Sequence, residues 1–255
     1  MGWQDRFSLK GRRALVTGAS KGIGAEICAV FADAGCDIVA VARDEAGLAQ
    51  TALVVRDRGV RCLTIAADMA TIDGPRMAAA QALDAWGGID ILVNSAGVAR
   101  IAPAADLSAQ WWDETMAVNL RAPFLLAQAL APAMIAQGHG KIINISSQTG
   151  VIALQDHAAY AASKGGLNAL TKSLCAEWAR HNIQVNAICP TVVLTPMGRK
   201  VWGPPEKSGP MIAATPAGRF AEPVEVADAA LYLASPASNM VNGALLMLDG
   251  GFTSV

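Results

Sequence analysis

The sequence predicts an α/β fold, with one doubly wound sheet of seven parallel strands and helices on both of its faces. Three observations carry this. Seven short runs of β-branched and apolar residues recur along the chain: RALVTG, DIVAVA, RCLTIA, DILVN, KIINIS, IQVNAIC and ALLMLDGG. Each is almost continuously apolar, as a strand is when both faces of its sheet are covered. Between them lie stretches of helical length and periodicity, among them 23–34, 111–137 and 158–181. Strict alternation of this kind implies right-handed crossovers between parallel strands. Ligands of such sheets bind at the carboxyl ends of the strands, so the residues just after each strand are the ones to read for function.

Composition narrows the functional classes. The 255 residues are 53% hydrophobic and 16% charged, which supplies apolar material for a single domain, 1–255, and argues against disorder. A formal net charge of -1, with no run of Lys and Arg, excludes the basic footprint of a nucleic-acid or anionic-membrane binder. The partner expected is a small molecule. Five scattered cysteines, never in CxxC spacing, read as reduced core thiols, and three isolated histidines give no metal-ligand spacing. The start, MGWQDRFSLKGRR, lacks the apolar core of a secretory signal, and no apolar run is expected to reach the roughly 18 residues of a membrane span. A cytoplasmic location is the expectation.

Taken in order, the first strand, RALVTG, runs into VTGASKGIGAEI, where Gly18, Gly22 and Gly24 stand between strand and helix with Ser20, Lys21 and Ile23 among them. Glycines there permit a tight turn and close approach of a pyrophosphate, and the helix N-terminus offers free N–H groups. The second strand ends at Ala42, followed by Arg43 and Asp44. A carboxylate about 20 residues past the glycines binds a free ribose 2′-hydroxyl, whereas a cation accommodates a 2′-phosphate; Asp44 falls at that distance, so the simple count favours NAD. Asp68 and Met69 follow the third strand, and NSAG (residues 94–97) ends the fourth. The fifth runs into NISSQTG, and YAASK follows in the next helix.

Residues i and i+4 share a helical face, so Tyr160 and Lys164 are neighbours. A free phenol has a pKa near 10. A nearby ammonium, with the positive nicotinamide of an oxidised coenzyme, would lower it and make a proton-transfer group. The sixth strand leads into ICPTVVLTPMG. The Pro and Gly density of residues 195–211 reads as a break in any regular element and as a lid near 195–215 over the pocket. The last strand has the apolar composition of an edge that another copy would cover.

TGASKGIG and YAASK, in this order and interval, resemble the short-chain dehydrogenase/reductase family over about 9–252. The resemblance implies a Rossmann fold and hydride transfer between a nicotinamide and a carbonyl or secondary alcohol. It assigns a catalytic set of Asn119, Ser147, Tyr160 and Lys164: Ser147, with Ser146 as the adjacent alternative, orients the reacting oxygen, and the Asn119 carbonyl holds a water linked to the lysine. The cations Lys21 and Arg43 match the NADP-preferring pattern, which favours NADP(H), with NAD(H) as the alternative. Coenzyme contacts implied besides the glycine turn are Arg43, Asp68 at the adenine amino group with Met69, then Asn94, Ala96 and Gly97. Tyr160, Lys164, Val193 and Thr195 complete them. Thr191 stands where most members have glycine. Family members form dimers or tetramers, so a homo-oligomer is expected.

Within the family, RRALVTGASKGIG, NISSQ, DHAAY, PTVVLTPMG and Trp202 resemble the xylulose reductase branch, with the polyol dehydrogenases also similar. This implies ketoses, polyols or α-dicarbonyls as substrates, with Gln148, His157 and Trp202 at the pocket edge; His157 is equally a helix-start residue without a substrate contact. Two other readings remain. A 3-oxoacyl-[acyl-carrier-protein] reductase would need a basic docking patch, for which Arg199, Lys200 and Lys207 are candidates. A catalytically silent dinucleotide sensor would need no tetrad.

Overall fold

In the computed structural model, which describes residues 2–255, the strands are β1 (Arg13–Thr17), β2 (Asp37–Ala42), β3 (Cys62–Ala66), β4 (Ile91–Asn94), β5 (Gly140–Ile145), β6 (Ile183–Pro190) and β7 (Leu245–Leu248). All pair in parallel, in the order β3-β2-β1-β4-β5-β6-β7. The winding therefore reverses between β1 and β4, and the crevice for a ligand opens at their carboxyl ends.

Helices cover both faces, as the apolar strands require. On one face α2 (Gly22–Asp33), α3 (Glu45–Asp57) and α10 (Pro223–Ala234) bury Ile27, Phe31, Leu48, Val226 and Leu233 against Ala14, Val16, Ile38 and Ile143. On the other, α4 (Asp73–Trp86), α6 (Ala122–Gln137) and α7 (Ala158–Trp178) pack Ala78, Ala82, Leu126, Leu130 and Leu174 against Leu15, Val39, Leu92 and Ile142. A short α1 (Trp3–Phe7) precedes the sheet, and α5 (Ala109–Met116) leads through one π-helical turn, Ala117–Arg121, into α6.

Two expectations need correction. The continuous helical stretch Ala109–Gln137 is long and apolar enough to cross a membrane by length and composition, with a mean hydropathy of 1.3 over its 18-residue window, whereas no run of that kind was expected. Its apolar side is turned inward, with 56% of the window buried in the fold, as in a core helix. Residues 195–211, expected to lack regular structure, form two short helices, α8 (Pro196–Trp202) and α9 (Pro205–Ala213). Their prolines initiate helices: Pro196 and Pro205 occupy first-turn positions, where the missing N–H is no loss. Thr195 caps α8 by accepting from the Gly198 N–H at 3.0 Å.

Candidate active site

The first βα turn is shaped by close backbone approach. Gly18 (φ 67°) lies so near the loop after β4 that a Cβ would meet Ala96 Cα at 2.9 Å, and a Cβ on Gly22 (φ 61°) would meet the Thr195 methyl at 3.2 Å. Thr17 holds this junction together, accepting at Oγ1 from the Ser95 and Ala96 N–H groups at 3.0 and 3.1 Å. The glycine turn, the loop after β4 and the start of α8 thus form one wall with no room for side chains, the cradle that a dinucleotide needs at the N-terminus of α2.

A cavity of about 380 Å³ runs from this wall along the strand ends. One end is lined by Lys21, Arg43, Asp44, Asp68 and Met69, the middle by Ala96, Gly97, Val193 and Thr195, and the other end by Ser147, Gln148, Tyr160, Lys164, His157 and Trp202. Ser20, Ile23, Gly18, Gly22 and Gly24 also line it. Asp44, one of the open choices for the ribose, has its carboxylate engaged as the N-cap of α3, accepting from the Gly47 N–H at 3.1 Å.

Two candidates do not reach the cavity. Asn94, expected among the coenzyme contacts and as a stabiliser of the central strand, is buried in β4 and donates through Nδ2 to Asn144 Oδ1 of β5 at 2.8 Å, which is the stabilising role. Its register partner is Asn144, so the side chain lies between strands, one layer behind the cavity. Asn119 sits inside the π-helical turn and clamps the loop after β4: Oδ1 accepts from the Val98 N–H, and Nδ2 donates to the Val98 carbonyl, each at 2.9 Å. It also donates to Ser163 Oγ at 3.1 Å. A π turn adds one residue to the helix and shifts the backbone hydrogen bonds locally, here bringing the Asn119 amide to the back of the cavity wall.

Between the two serines the structure distinguishes. Ser146 donates to Asn168 Oδ1 at 2.7 Å within the core, whereas Ser147, whose Oγ accepts from the Thr149 N–H at 3.1 Å, lines the cavity together with Tyr160. Tyr160 and Lys164 share a face of α7, with Lys164 Nζ 5.7 Å from the phenol ring centre. The ammonium donates to the Ile145 carbonyl at 2.7 Å. Burial pushes the Tyr160 phenol above its ordinary value, and the Ser147 hydroxyl opposes that rise; burial lowers Lys164 to about 8. In the chain alone the phenol's shift is thus upward; the lowering is expected of Lys164 acting together with the positive nicotinamide of an oxidised coenzyme. Both groups lose solvation on the same face of α7: for Tyr160 that loss outweighs the Ser147 hydroxyl, and for Lys164 it outweighs the nearby Cys189 thiol.

His157 is both things the sequence left open: the N-cap residue of α7 and a cavity-lining side chain, with its ring 6.2 Å from that of Tyr160 and nearly perpendicular to it. Trp202, at the end of α8, lies edge-on to Phe220 at 6.4 Å. The apolar part of this end comes from Met197 of PTVVLTPMG and from residues that no motif singled out, Ile101, Leu154 and Val201. The only signal for them is an apolar residue in a loop or short helix beside a motif. Among the described residues no group of His, Cys, Asp and Glu could hold a metal ion.

A protein-family model described as enoyl-(acyl carrier protein) reductase matches residues 18–253. A D-threitol dehydrogenase of Mycolicibacterium smegmatis is 47% identical over 248 residues, covering 97% of this chain and 95% of that protein. An NAD-dependent glycerol dehydrogenase of Listeria innocua is 40% identical, covering 99% and 98%, and an L-xylulose reductase of Mesocricetus auratus is 44% identical, covering 96% and 98%. Among solved structures, a gluconate 5-dehydrogenase from Burkholderia cenocepacia, in complex with NADP and tartrate, superposes with a TM-score of 0.95 at 42% identity over the whole of both chains.

Proposed function

The chain belongs to the short-chain dehydrogenase/reductase family and is an NAD(P)-dependent oxidoreductase acting on CH–OH groups; from that premise we propose that it interconverts a small polyol and the corresponding ketose, with Tyr160 as the proton-transfer group. The observation carrying this reading is the convergence of Ser147, Tyr160 and Lys164 at one end of a cavity whose other end is a glycine cradle. The named activities of the D-threitol and glycerol dehydrogenases and the L-xylulose reductase support a substrate of this size and polarity.

Bound in the cradle, a nicotinamide coenzyme supplies or takes up the hydride. The chain's residues do the rest. The Ser147 hydroxyl donates to the reacting oxygen and holds it beside Tyr160. The phenol gives a proton to that oxygen in reduction, or takes it from the alcohol in oxidation. Lys164, fixed by the Ile145 carbonyl, keeps a positive charge near the phenol and favours its ionised form. Gln148, His157 and Trp202 offer hydrogen-bonding and apolar surface to the remaining hydroxyls and carbons. Gly18 to Gly24, with Ala96, Gly97, Val193 and Thr195, hold the coenzyme, and Asn119 supports that wall from behind.

Lys21 and Arg43 favour NADP(H), and the NADP complex of the similar gluconate 5-dehydrogenase accords with it; the NAD-dependent glycerol dehydrogenase makes NAD(H) the alternative. The family model's description favours a second substrate class, acyl thioesters on a carrier protein, which Arg199, Lys200 and Lys207, all exposed on or beside α8 and α9, would dock. The chain as a single domain, in a cytoplasmic homodimer or homotetramer, completes the reading; the half-buried β7 at the sheet edge supports a covering copy.

A spectrophotometric panel of polyols, ketoses and acyl thioesters with both coenzymes tests it. Turnover of a polyol–ketose pair is expected, with kcat falling about 10²–10⁴-fold in Tyr160→Phe. Undiminished turnover in that variant, or preference for acyl thioesters, would overturn it.

A further inference from the structure

At the coenzyme end of the cavity, Arg43 already has a partner. Its guanidinium stands 3.8 Å from Asp68 Oδ1, both side chains being partly exposed. The carboxylate is the fixed member of the pair, because the same Oδ1 accepts from the Ala70 N–H at 3.0 Å in the turn after β3; the arginine is a long side chain at the end of β2. Lys21, on the opposite rim, is in no ion pair among the described residues, while the Asp44 carboxylate lines the same end of the cavity. Asp68 is therefore the one carboxylate paired with Arg43 among the described residues, and the positive charge of Arg43 also helps to lower the Glu114 carboxyl, which is held mainly by Arg100.

We infer that Asp68 sets coenzyme selectivity by holding Arg43 as an internal counter-ion, against which a coenzyme 2′-phosphate must compete. Binding a 2′-phosphate exchanges one guanidinium–carboxylate contact for a guanidinium–phosphate contact and leaves Asp68 as a like charge nearby. Both effects weaken the phosphorylated coenzyme relative to the unphosphorylated one. Neither touches the part that the two share. The inference rests on the reading that Lys21 and Arg43 receive a 2′-phosphate.

The test is a double-mutant cycle read by equilibrium binding. Dissociation constants of adenosine 2′,5′-bisphosphate and of AMP are measured by calorimetry, and those of NADPH and NADH by fluorescence, for the wild type, Asp68→Asn, Arg43→Ala and the double variant. Asparagine keeps the acceptor oxygen, and the ratio of the two ligands cancels any contact to adenine. Asp68→Asn is expected to raise the preference for the 2′-phosphate about two- to five-fold, the range of an exposed ion pair, and to raise it clearly less in the Arg43→Ala background, where only the like-charge effect of Asp68 remains. An unchanged ratio in Asp68→Asn, or an increase of the same size when Arg43 is absent, overturns the inference. If Arg43→Ala and Lys21→Ala both leave the wild-type ratio unmoved, the NADP(H) reading itself fails, a different result from the first two.

Discussion

Lys164 shows how one residue trades stability for function. Its ammonium is buried on a core-facing turn of α7 and satisfied by a single carbonyl, that of Ile145, and burial lowers it from an ordinary 10.5 to about 8. A lysine whose folded value lies below its unfolded value weakens the fold. The penalty is full below about pH 8 and fades as pH rises from there towards 10.5, because the unfolded chain binds the extra proton. Lys164→Met keeps the length of the stem and removes the charge. It should therefore inactivate the enzyme yet stabilise it at pH 7 by roughly 1–3 kcal/mol, less than the roughly 3 kcal/mol that the shift represents because the hydrogen bond to Ile145 is lost. Denaturant unfolding at pH 7 and pH 10 checks this: the gain should shrink at the higher pH, and a variant less stable at pH 7 would contradict the argument. The i, i+4 spacing made the pairing of Lys164 with Tyr160 legible in the sequence. The direction of the phenol's shift was not, since it depends on how deeply the hydroxyl is buried and on Ser147, thirteen residues away.

At the scale of elements, the strands were legible because both faces of a central strand must be apolar, and their ends because glycine and small polar residues follow each one. The helices within 195–211 are not legible from proline content alone, because proline breaks a helix in its interior but starts one at the first turn, where Pro196 and Pro205 stand. The π turn in the α5–α6 stretch left no mark, since one inserted residue barely disturbs a helical hydrophobic period. Yet that turn places Asn119, whose amide satisfies both the N–H and the carbonyl of Val98. Asn119→Leu would leave two part-buried backbone groups and the Ser163 contact unpaired. It should cost roughly 2–4 kcal/mol, at about 1–3 for each orphaned group. Hydrogen exchange is the informative readout, because protection should fall first at Gly97 to Ala99, together with weaker coenzyme binding. Native-like protection in that loop would show that the clamp is not what holds it.

Across the whole molecule, chemistry and stability occupy opposite ends of one sheet. The cavity lies at the carboxyl ends of the strands, and at the amino ends Asp90, just before β4, gathers a buried polar knot. Its carboxylate accepts from the Arg13 backbone N–H and from Arg13 Nε, both at 2.9 Å, and meets His139 Nε2 at 2.7 Å, with Arg12 3.5 Å away. Burial alone would raise the Asp90 carboxyl, but hydrogen bonds from Arg13 and His139 hold it below the ordinary carboxylate range. A depressed carboxylate contributes stability that is complete above the unfolded value, near 3.9, and is lost as pH falls through the folded one. Asp90→Asn keeps the shape and removes the charge, leaving Arg13 without its ionic partner. It should cost roughly 2–4 kcal/mol at pH 7, somewhat below the roughly 3–5 kcal/mol for breaking a fully buried pair because Arg12 and Arg13 are partly exposed, and progressively less below about pH 4 as the wild type takes up its proton. Because the knot is a full strand length from Tyr160, kcat and KM at pH 7 should stay at wild-type values. Urea unfolding at pH 7 and pH 3, alongside steady-state kinetics, separates the two ends of the sheet: an equal destabilisation at both pH values would remove the ionic argument, and a loss of turnover in the folded variant would mean that the amino ends of the strands reach the chemistry after all.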